Sequence, residues 1–388
     1  MRLIFLIAHG LRTSYLGLYG NDWVPTPNFD TLATESIVFD RHFADMPSAD
    51  GFNRAVSTGR YALPQRDPVT VVPEGTTLDN LLRANAVRYL TLAADELTES
   101  DLIDAGHDDN AILRLETNRL LPPWSITDEI LAETISDWEQ ATGNSLEPLL
   151  SPRTGPLDDC VENGDSADNR ARVQLTYAAA VRDFDTWLGD LRESLASTAW
   201  TEAVLVVTSG HGIALGEHGI LGWQNSRLHG EMLHLPLILR YPDKSDCGRR
   251  VPDLSQSIDL PATIAELYGV PVPNDWHGQS LLPLTRGEHS RRQYAVSGLR
   301  CGNKVEWSLR TEDVAVLLPA DIEEQSAALF VKPDDYWEVN DLRQKYLDEA
   351  ELLENLLLEF VAASSLPGPL AAPSLSNLEN DDGHSQAG

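Results

Sequence analysis

Four histidines, His9, His211, His218 and His229, occupy glycine-punctuated stretches of the chain. His9 closes the apolar run Leu3–Ala8 in Ala8-His9-Gly10-Leu11-Arg12. His211 sits in Thr208-Ser209-Gly210-His211-Gly212, directly after a second apolar run, Ala203–Thr208. In open α/β sheets, ligands bind beyond the carboxyl ends of the strands, so both loops are candidate site loops. Imidazoles suit zinc or another transition metal better than calcium. A converging set of His9, His211, His218 and His229 with Asp50 would be a metal or hydrolytic site, with His9 and His211 as the metal ligands. The competing reading has these rings hydrogen-bonded to backbone in a cleft without chemistry. Arg54, Arg60, Arg153 and Arg227 form a second set, able to line an anion pocket without metal. Arg60 reads better as the brace of a turn, and Arg54 is the foremost anion contact. Trp223 could serve as a stacking platform, but filling of the cleft is the simpler role.

The elements that must position these residues alternate. Strand Leu3–Ala8 leads into a loop, a short helix opens at Thr26-Pro27-Asn28, and Ile37–Phe43 reads as a strand. Helix Leu78–Ala84 and strand Tyr89–Ala94 follow. The stretch from Glu96 to Asp168 is less regular, with a helix near Thr127–Ala141 and a Pro/Gly/Asp-rich loop from Ser151 to Asp165. Leu175, Ala178, Phe184, Leu188, Leu191 and Leu195 then mark one face of a long helix. Ala203–Thr208 and Leu235–Leu239 read as buried strands, and Leu260–Tyr268 as a helix. This alternation predicts an α/β fold with a mostly parallel sheet covered by helices on both faces. From about Arg291 short strands crowd together (Gln293–Ser297, Trp307–Arg310, Val314–Leu318, Ala327–Val331) before a closing helix, Glu351–Val361. The expected division is an α/β domain over 1–290, a small subdomain of antiparallel sheet plus helix over 291–365, and a disordered tail over 366–388.

Composition bounds the partners. The 388 residues carry 29 Lys+Arg and 60 Asp+Glu, a formal charge of −31. Such acidity argues against nucleic acid and against anionic membrane surfaces. A sulfate or phosphate ligand would need a local positive pocket. Cys160, Cys247 and Cys301 show no metal-ribbon spacing and imply no disulfide framework. The N-terminal apolar run is shorter than a signal-peptide core and lacks a small-residue cleavage site, so a cytoplasmic location is expected.

Several stretches, in order, resemble the sulfatase family of the alkaline-phosphatase superfamily. Leu16-Gly17-Leu18-Tyr19-Gly20-Asn21 with Thr26-Pro27-Asn28-Phe29-Asp30 is similar to the family's opening, and Ser57-Thr58-Gly59-Arg60-Tyr61 to the end of its nucleophile motif. Ser209–Gly212, Gly216-Glu217-His218-Gly219 and Leu235–Pro242 resemble its central motifs. Ser257–Thr263, Gly269–Pro273, Gly278–Leu284 and Ala328–Leu342 resemble its later ones. The resemblance implies the alkaline-phosphatase-like fold and, nominally, hydrolysis of sulfuric esters. It further implies a formylglycine nucleophile made from Cys or Ser, and a calcium or magnesium ion held by Asp residues after the first strand and Asp with Asn or His after a later one.

At those positions this chain differs. His9-Gly10 stand in place of the Asp-Asp pair, and Gly210 in place of the later Asp. Counting back from Gly59 puts Ala49 at the nucleophile and Asn53 at the motif arginine; a one-residue gap puts Asp50 and Arg54 there, with Ser48 out of register. Ala93-Ala94-Asp95 stand near the place of a missing histidine motif. Arg153 takes the place of another histidine, and the later lysine falls near Trp223 or Gln224. The expected reading is a sulfatase-like protein impaired in catalysis, with a binding or regulatory role and without the family's divalent cation. Its ligand would be a small sulfated or phosphorylated molecule bound by Arg54, Arg153 and Arg227. One alternative is an active hydrolase of sulfate or phosphate esters in which Asp50, His211 and His229 are catalytic. Another is a scaffold or oligomer subunit.

Overall fold

The computed structural model describes residues 1–64, 76–143, 167–222, 227–290, 292–321, 326–366 and 368–375. The loop from Ser151 to Asp165, Arg153, Cys160, Trp223, Gln224 and the chain beyond residue 375 lie outside these residues. Along the chain run β1 (Arg2–Ala8), α1 (Pro27–Thr34), β2 (Ile37–Phe43), α2 (Ala49–Thr58), α3 (Leu78–Ala84), β3 (Arg88–Ala93), α4 (Glu99–Ala105), β4 (Ala111–Thr117), α5 (Asp128–Thr142) and α6 (Ala167–Ala196). Then come β5 (Val204–Thr208), β6 (Ala214–Leu215), β7 (Leu221–Gly222), α7 (Gly230–Leu233), β8 (His234–Arg240), β9 (Arg250–Gln256), α8 (Asp259–Leu267) and α9 (Leu282–Thr285). The chain closes with β10 (Ala295–Cys301), β11 (Lys304–Arg310), β12 (Val314–Pro319), β13 (Ala328–Val331) and α10 (Leu347–Ser364).

The main sheet has seven strands in the order β3-β4-β1-β5-β8-β2-β9. Strands β3, β4, β1 and β5 run parallel, whereas β8 runs antiparallel to β5. The α/β expectation therefore holds, with a mixed sheet. The reason for the reversal lies in the connection. A parallel return needs a crossover spanning the sheet, usually a helix. Between β5 and β8 the described chain forms only the β6–β7 hairpin and the four-residue α7.

The chain divides into two compact units that are not contiguous in sequence. The first comprises Met1–Asp40, Leu82–Ser226 and His234–Pro252; the second comprises Arg41–Leu81, Arg227–Leu233 and Asp253–Gly388. In the first unit, β1 is buried almost throughout and contributes Ile4, Leu6 and Ala8 to the core. One face of α6, with Val173, Tyr177, Val181, Phe184, Leu188, Leu191 and Leu195, packs into the same core at helical spacing. Asp185, on that helix, accepts hydrogen bonds from the Asn28 and Phe29 amides and so satisfies the start of α1.

In the second unit β10, β11, β12 and β13 form an antiparallel sheet in sequence order. Helix α10 buries Leu353, Leu356, Leu357 and Phe360 in the core of that unit. The first strand is Ala295–Cys301, later than the expected Gln293–Ser297. Several elements are not legible in the sequence, among them β4, β9 and α2 as well as α4, α7, α9 and the β6–β7 hairpin. Strand β4 lies in the stretch taken as irregular, β9 alternates only weakly, and α2 was obscured by its polar, glycine-containing start.

Candidate functional site

The candidate site of the first unit is set by two adjacent strands. Strand β1 pairs in parallel with β5, Ile7 opposite Thr208, so the loops that follow emerge side by side. The Gly10 amide donates to the His211 carbonyl at 2.9 Å and locks the two loops together. His9 and His211 are buried with their rings stacked, centroids 5.5 Å apart and planes inclined by 26°. The Nδ1 of His211 lies 2.7 Å from the Gly212 carbonyl, which can only accept, so that nitrogen carries the proton. Burial pushes the pKa of His211 down to about 4, and the neighbouring His9 adds to the effect. His211 is accordingly a neutral imidazole at physiological pH.

His9 is oriented by a carboxylate. Its Nε2 lies 3.4 Å from Glu116 Oε2, and Glu116 also takes Arg114 Nε at 2.8 Å. The hydrogen bond from His9, with the charge of Arg114, outweighs burial and holds the Glu116 carboxyl below its ordinary pKa. Beside them Arg12 is buried. Its Nη1 donates to Glu217 Oε1 at 2.5 Å and to the Ile213 carbonyl at 3.2 Å, and the guanidinium lies 5.2 Å from the Tyr15 ring centre. Tyr177 completes the layer, accepting from the Arg12 amide and donating to the Gly10 carbonyl. The glutamate of Gly216-Glu217-His218-Gly219 thus serves as an internal counter-ion. His218 is half-buried in the turn between β6 and β7.

These residues do not fit the calcium or magnesium ion that the resemblance implies. Such ions take six or more hard oxygen ligands from carboxylates, carbonyls and water. Here the strand ends carry imidazoles and a guanidinium already paired with its own carboxylate. Gly10 adopts a left-handed backbone with φ +85°, and a Cβ there would lie 2.9 Å from the Leu120 carbonyl oxygen. No carboxylate side chain can stand at that position without moving the backbone. Among the described residues, no group of three or more His, Cys, Asp and Glu is placed to hold a metal ion.

The second unit carries the remaining sequence candidates. Ser48 caps α2, its hydroxyl accepting from the Gly51 amide at 3.0 Å. Ala49, Asp50 and Arg54 are exposed on this helix; Asp50 lies in the first turn, and Arg54 is one turn further on. His229 is buried, its Nδ1 donating to Glu338 Oε2 at 2.9 Å. Glu338 is a hub: Arg310 reaches both of its oxygens, at 2.6 and 3.2 Å, and Lys332 Nζ lies 3.1 Å away. Burial alone would raise the pKa of Glu338, but these cations reverse that and hold it well below the carboxylate range. Arg227 is engaged with Glu306 at 2.8 Å, and Arg60 braces its turn through Asp275.

A further buried acid, Asp45, follows β2. Burial, reinforced by Asp259, pushes its pKa up to about 7 against the opposing charge of Arg292. Arg292 in turn ties Asp259, Tyr61 and Gln256 together, with contacts of 2.5 to 3.1 Å.

The structure thus brings His9 and His211 together in one unit, and holds Asp50, Arg54, Arg227 and His229 in the other. Reading the sequence did not find Glu116, the Arg12–Glu217 pair, Asp45 or the Glu338 hub. Glu116 is 107 residues from His9, and Glu338 is 109 from His229, so spacing gives no signal for either pair.

Residues 216–297 match the family model for the C-terminal part of N-sulphoglucosamine sulphohydrolase. The N-acetylglucosamine-6-O-sulfatase of Bacteroides thetaiotaomicron is 26% identical over 230 residues, 56% of this chain and 38% of that protein. The chain spans less than half the length of the curated relatives it matches first. A solved structure in complex with its substrate D-glucosamine-2-N,6-O-disulfate superposes with TM-score 0.71 at 17% identity, covering 99% of both chains. The phosphonate monoester hydrolase of Agrobacterium radiobacter superposes with TM-score 0.65 at 18% identity, covering 96% of this chain and 98% of the other.

Proposed function

We propose that this chain is a member of the sulfatase family that binds a sulfated or phosphorylated small molecule without performing the family's metal-assisted hydrolysis. The carrying observation is Gly10. The loop that in the family presents metal carboxylates has here a left-handed backbone with the Leu120 carbonyl against the place of a Cβ. Two features support the same reading. The nucleophile position offers Ala49 or Asp50, not Cys or Ser, and Arg12 already has Glu217 as its partner. Hydrolysis without either an activated nucleophile or a Lewis acid loses most of its transition-state stabilisation. Arg54, exposed on α2, remains the foremost anion contact of the second unit.

A second reading has one specific observation in its favour. Glu116 orients His9, and His211 beside it is neutral, as a general base must be. An altered hydrolase on these imidazoles needs no formylglycine. Assay of purified protein with p-nitrophenyl sulfate and p-nitrophenyl phosphate separates the two. The binding reading expects no release of nitrophenol above buffer, together with saturable binding of p-nitrophenyl sulfate in calorimetry. Turnover that His211→Ala abolishes would overturn it in favour of the second reading.

A further inference from the structure

Apart from the histidine loops, the first unit has an open cavity of about 280 Å³ between the C-terminal end of α6 and the segment that leads into α4. Its floor is apolar, with Leu97, Leu102, Leu191 and the edge of Trp187. Trp187 is stacked on Phe184, and the Arg119 guanidinium lies 5.4 Å from its ring centre. The rim carries two carboxylates, Glu99 and Asp190, and three hydroxyls, Thr98, Ser194 and Ser197. Among the described residues, no basic side chain lines it.

The hydroxyls decide the ligand class. A hydroxyl has one proton to give and two lone pairs. The Thr98 proton goes to Asp101 Oδ2, that of Ser194 to the Asp190 carbonyl, and that of Ser197 to the Ser194 carbonyl. All three donors are spent inside the protein, so toward the cavity these groups can only accept. The carboxylates are acceptors as well. Helix α6 ends at Ala196, so its last turn adds the negative end of the helix dipole. The opposing start of α4 is a short helix whose first turn holds Glu99 and Asp101, which offset its positive end. An anionic ester would meet like charge and, among the lining residues, no basic side chain. A ligand with several donors and a positive charge on an apolar body meets complementary groups throughout.

We propose that this cavity binds a small organic ammonium, its apolar part on Leu97, Leu102, Leu191 and Trp187 and its head between Glu99 and Asp190. The site is distinct from the histidine loops and selects the opposite charge from the family's substrates.

Calorimetry with three isosteric probes tests it: 2-phenylethylammonium, 2-phenylethanol and phenylacetate. The expected result is saturable binding of the ammonium, at least tenfold weaker binding of the alcohol, and none of phenylacetate. Asp190→Asn and Glu99→Gln, both at exposed positions, should each weaken the ammonium at least threefold while leaving the thermal midpoint within about 2 °C of the parent. No binding of the ammonium, equal binding of the alcohol, or ammonium binding unaltered in both variants would overturn the proposal.

Discussion

His9 and His211 face each other at 5.5 Å across the ends of two neighbouring parallel strands, and only one arrangement of charge suits them. Glu116 can compensate a proton on His9, whereas His211 is turned to the Gly212 carbonyl and buried. The pair therefore keeps His211 neutral, and its ring-proton resonances should not move between pH 5.5 and 8. A midpoint near 6.5 would contradict the geometry.

The same group sets a slope of stability against pH. Its folded pKa of about 4 lies below the ordinary 6.5, so in that window the unfolded chain binds more protons. Stability is then lost as pH falls from 6.5 toward 4, by roughly 3 kcal/mol at most from this group. Urea denaturation at successive pH values should show a weaker dependence in His211→Gln.

Asp45 acts with the opposite sign. Its folded pKa of about 7 lies above the ordinary 3.8, so the folded state binds the extra proton. Its contribution is present at low pH and is lost as pH rises from about 4 to about 7, by roughly 4 kcal/mol at most. Asp45→Asn should therefore gain stability relative to the parent as pH increases over that range. A pH-independent difference between the two would refute this assignment.

Glu338 neutralises a buried cluster of cations. Glu338→Gln leaves Arg310 and Lys332 charged at low exposure without their counter-ion. A loss of about 3–5 kcal/mol is expected in chemical denaturation, the usual cost of removing one partner of a buried pair. A double change, Glu338→Gln with Arg310→Met, should recover part of that loss.

Gly10 tests the proposed loss of metal-assisted hydrolysis directly. Gly10→Asp reinstates the residue type found in the family but places a Cβ 2.9 Å from a carbonyl oxygen on a left-handed backbone. It should lower the thermal midpoint and confer no calcium-dependent shift of that midpoint. A stable variant that gains such a shift would show that the loop can still open for metal.

Much of the fold was legible because hydrophobic runs and periodicity are local properties. Leu3–Ala8 reads better as a buried strand than as a signal-peptide core, and the Leu175-to-Leu195 spacing as a long helix, as found. The direction of β8 was not legible, because a four-residue helix in the connection gives no periodic signal. The site was legible only at its strand ends. His9 and His211 announced themselves by following apolar runs, but their partner Glu116 belongs to β4, in a stretch whose pattern was too mixed to read. Arg227 looked like an anion contact because its counter-ion, Glu306, lies 79 residues away.

The Glu338 hub also bears on how the chain comes to be folded. Of the four members His229, Arg310, Lys332 and Glu338, the carboxylate stands last in the chain. Until residue 338 has emerged, closing that part of the second unit would bury cations alone, at a cost of several kcal/mol. Pairing of β10, β11 and β12, neighbours in sequence, needs nothing beyond Pro319, whereas Arg310 on β11 and Lys332 just after β13 find their carboxylate only with Glu338. A chain truncated before Glu338 leaves Arg310 and Lys332 without their shared carboxylate, and its second unit is expected to be less stable than that of the full chain.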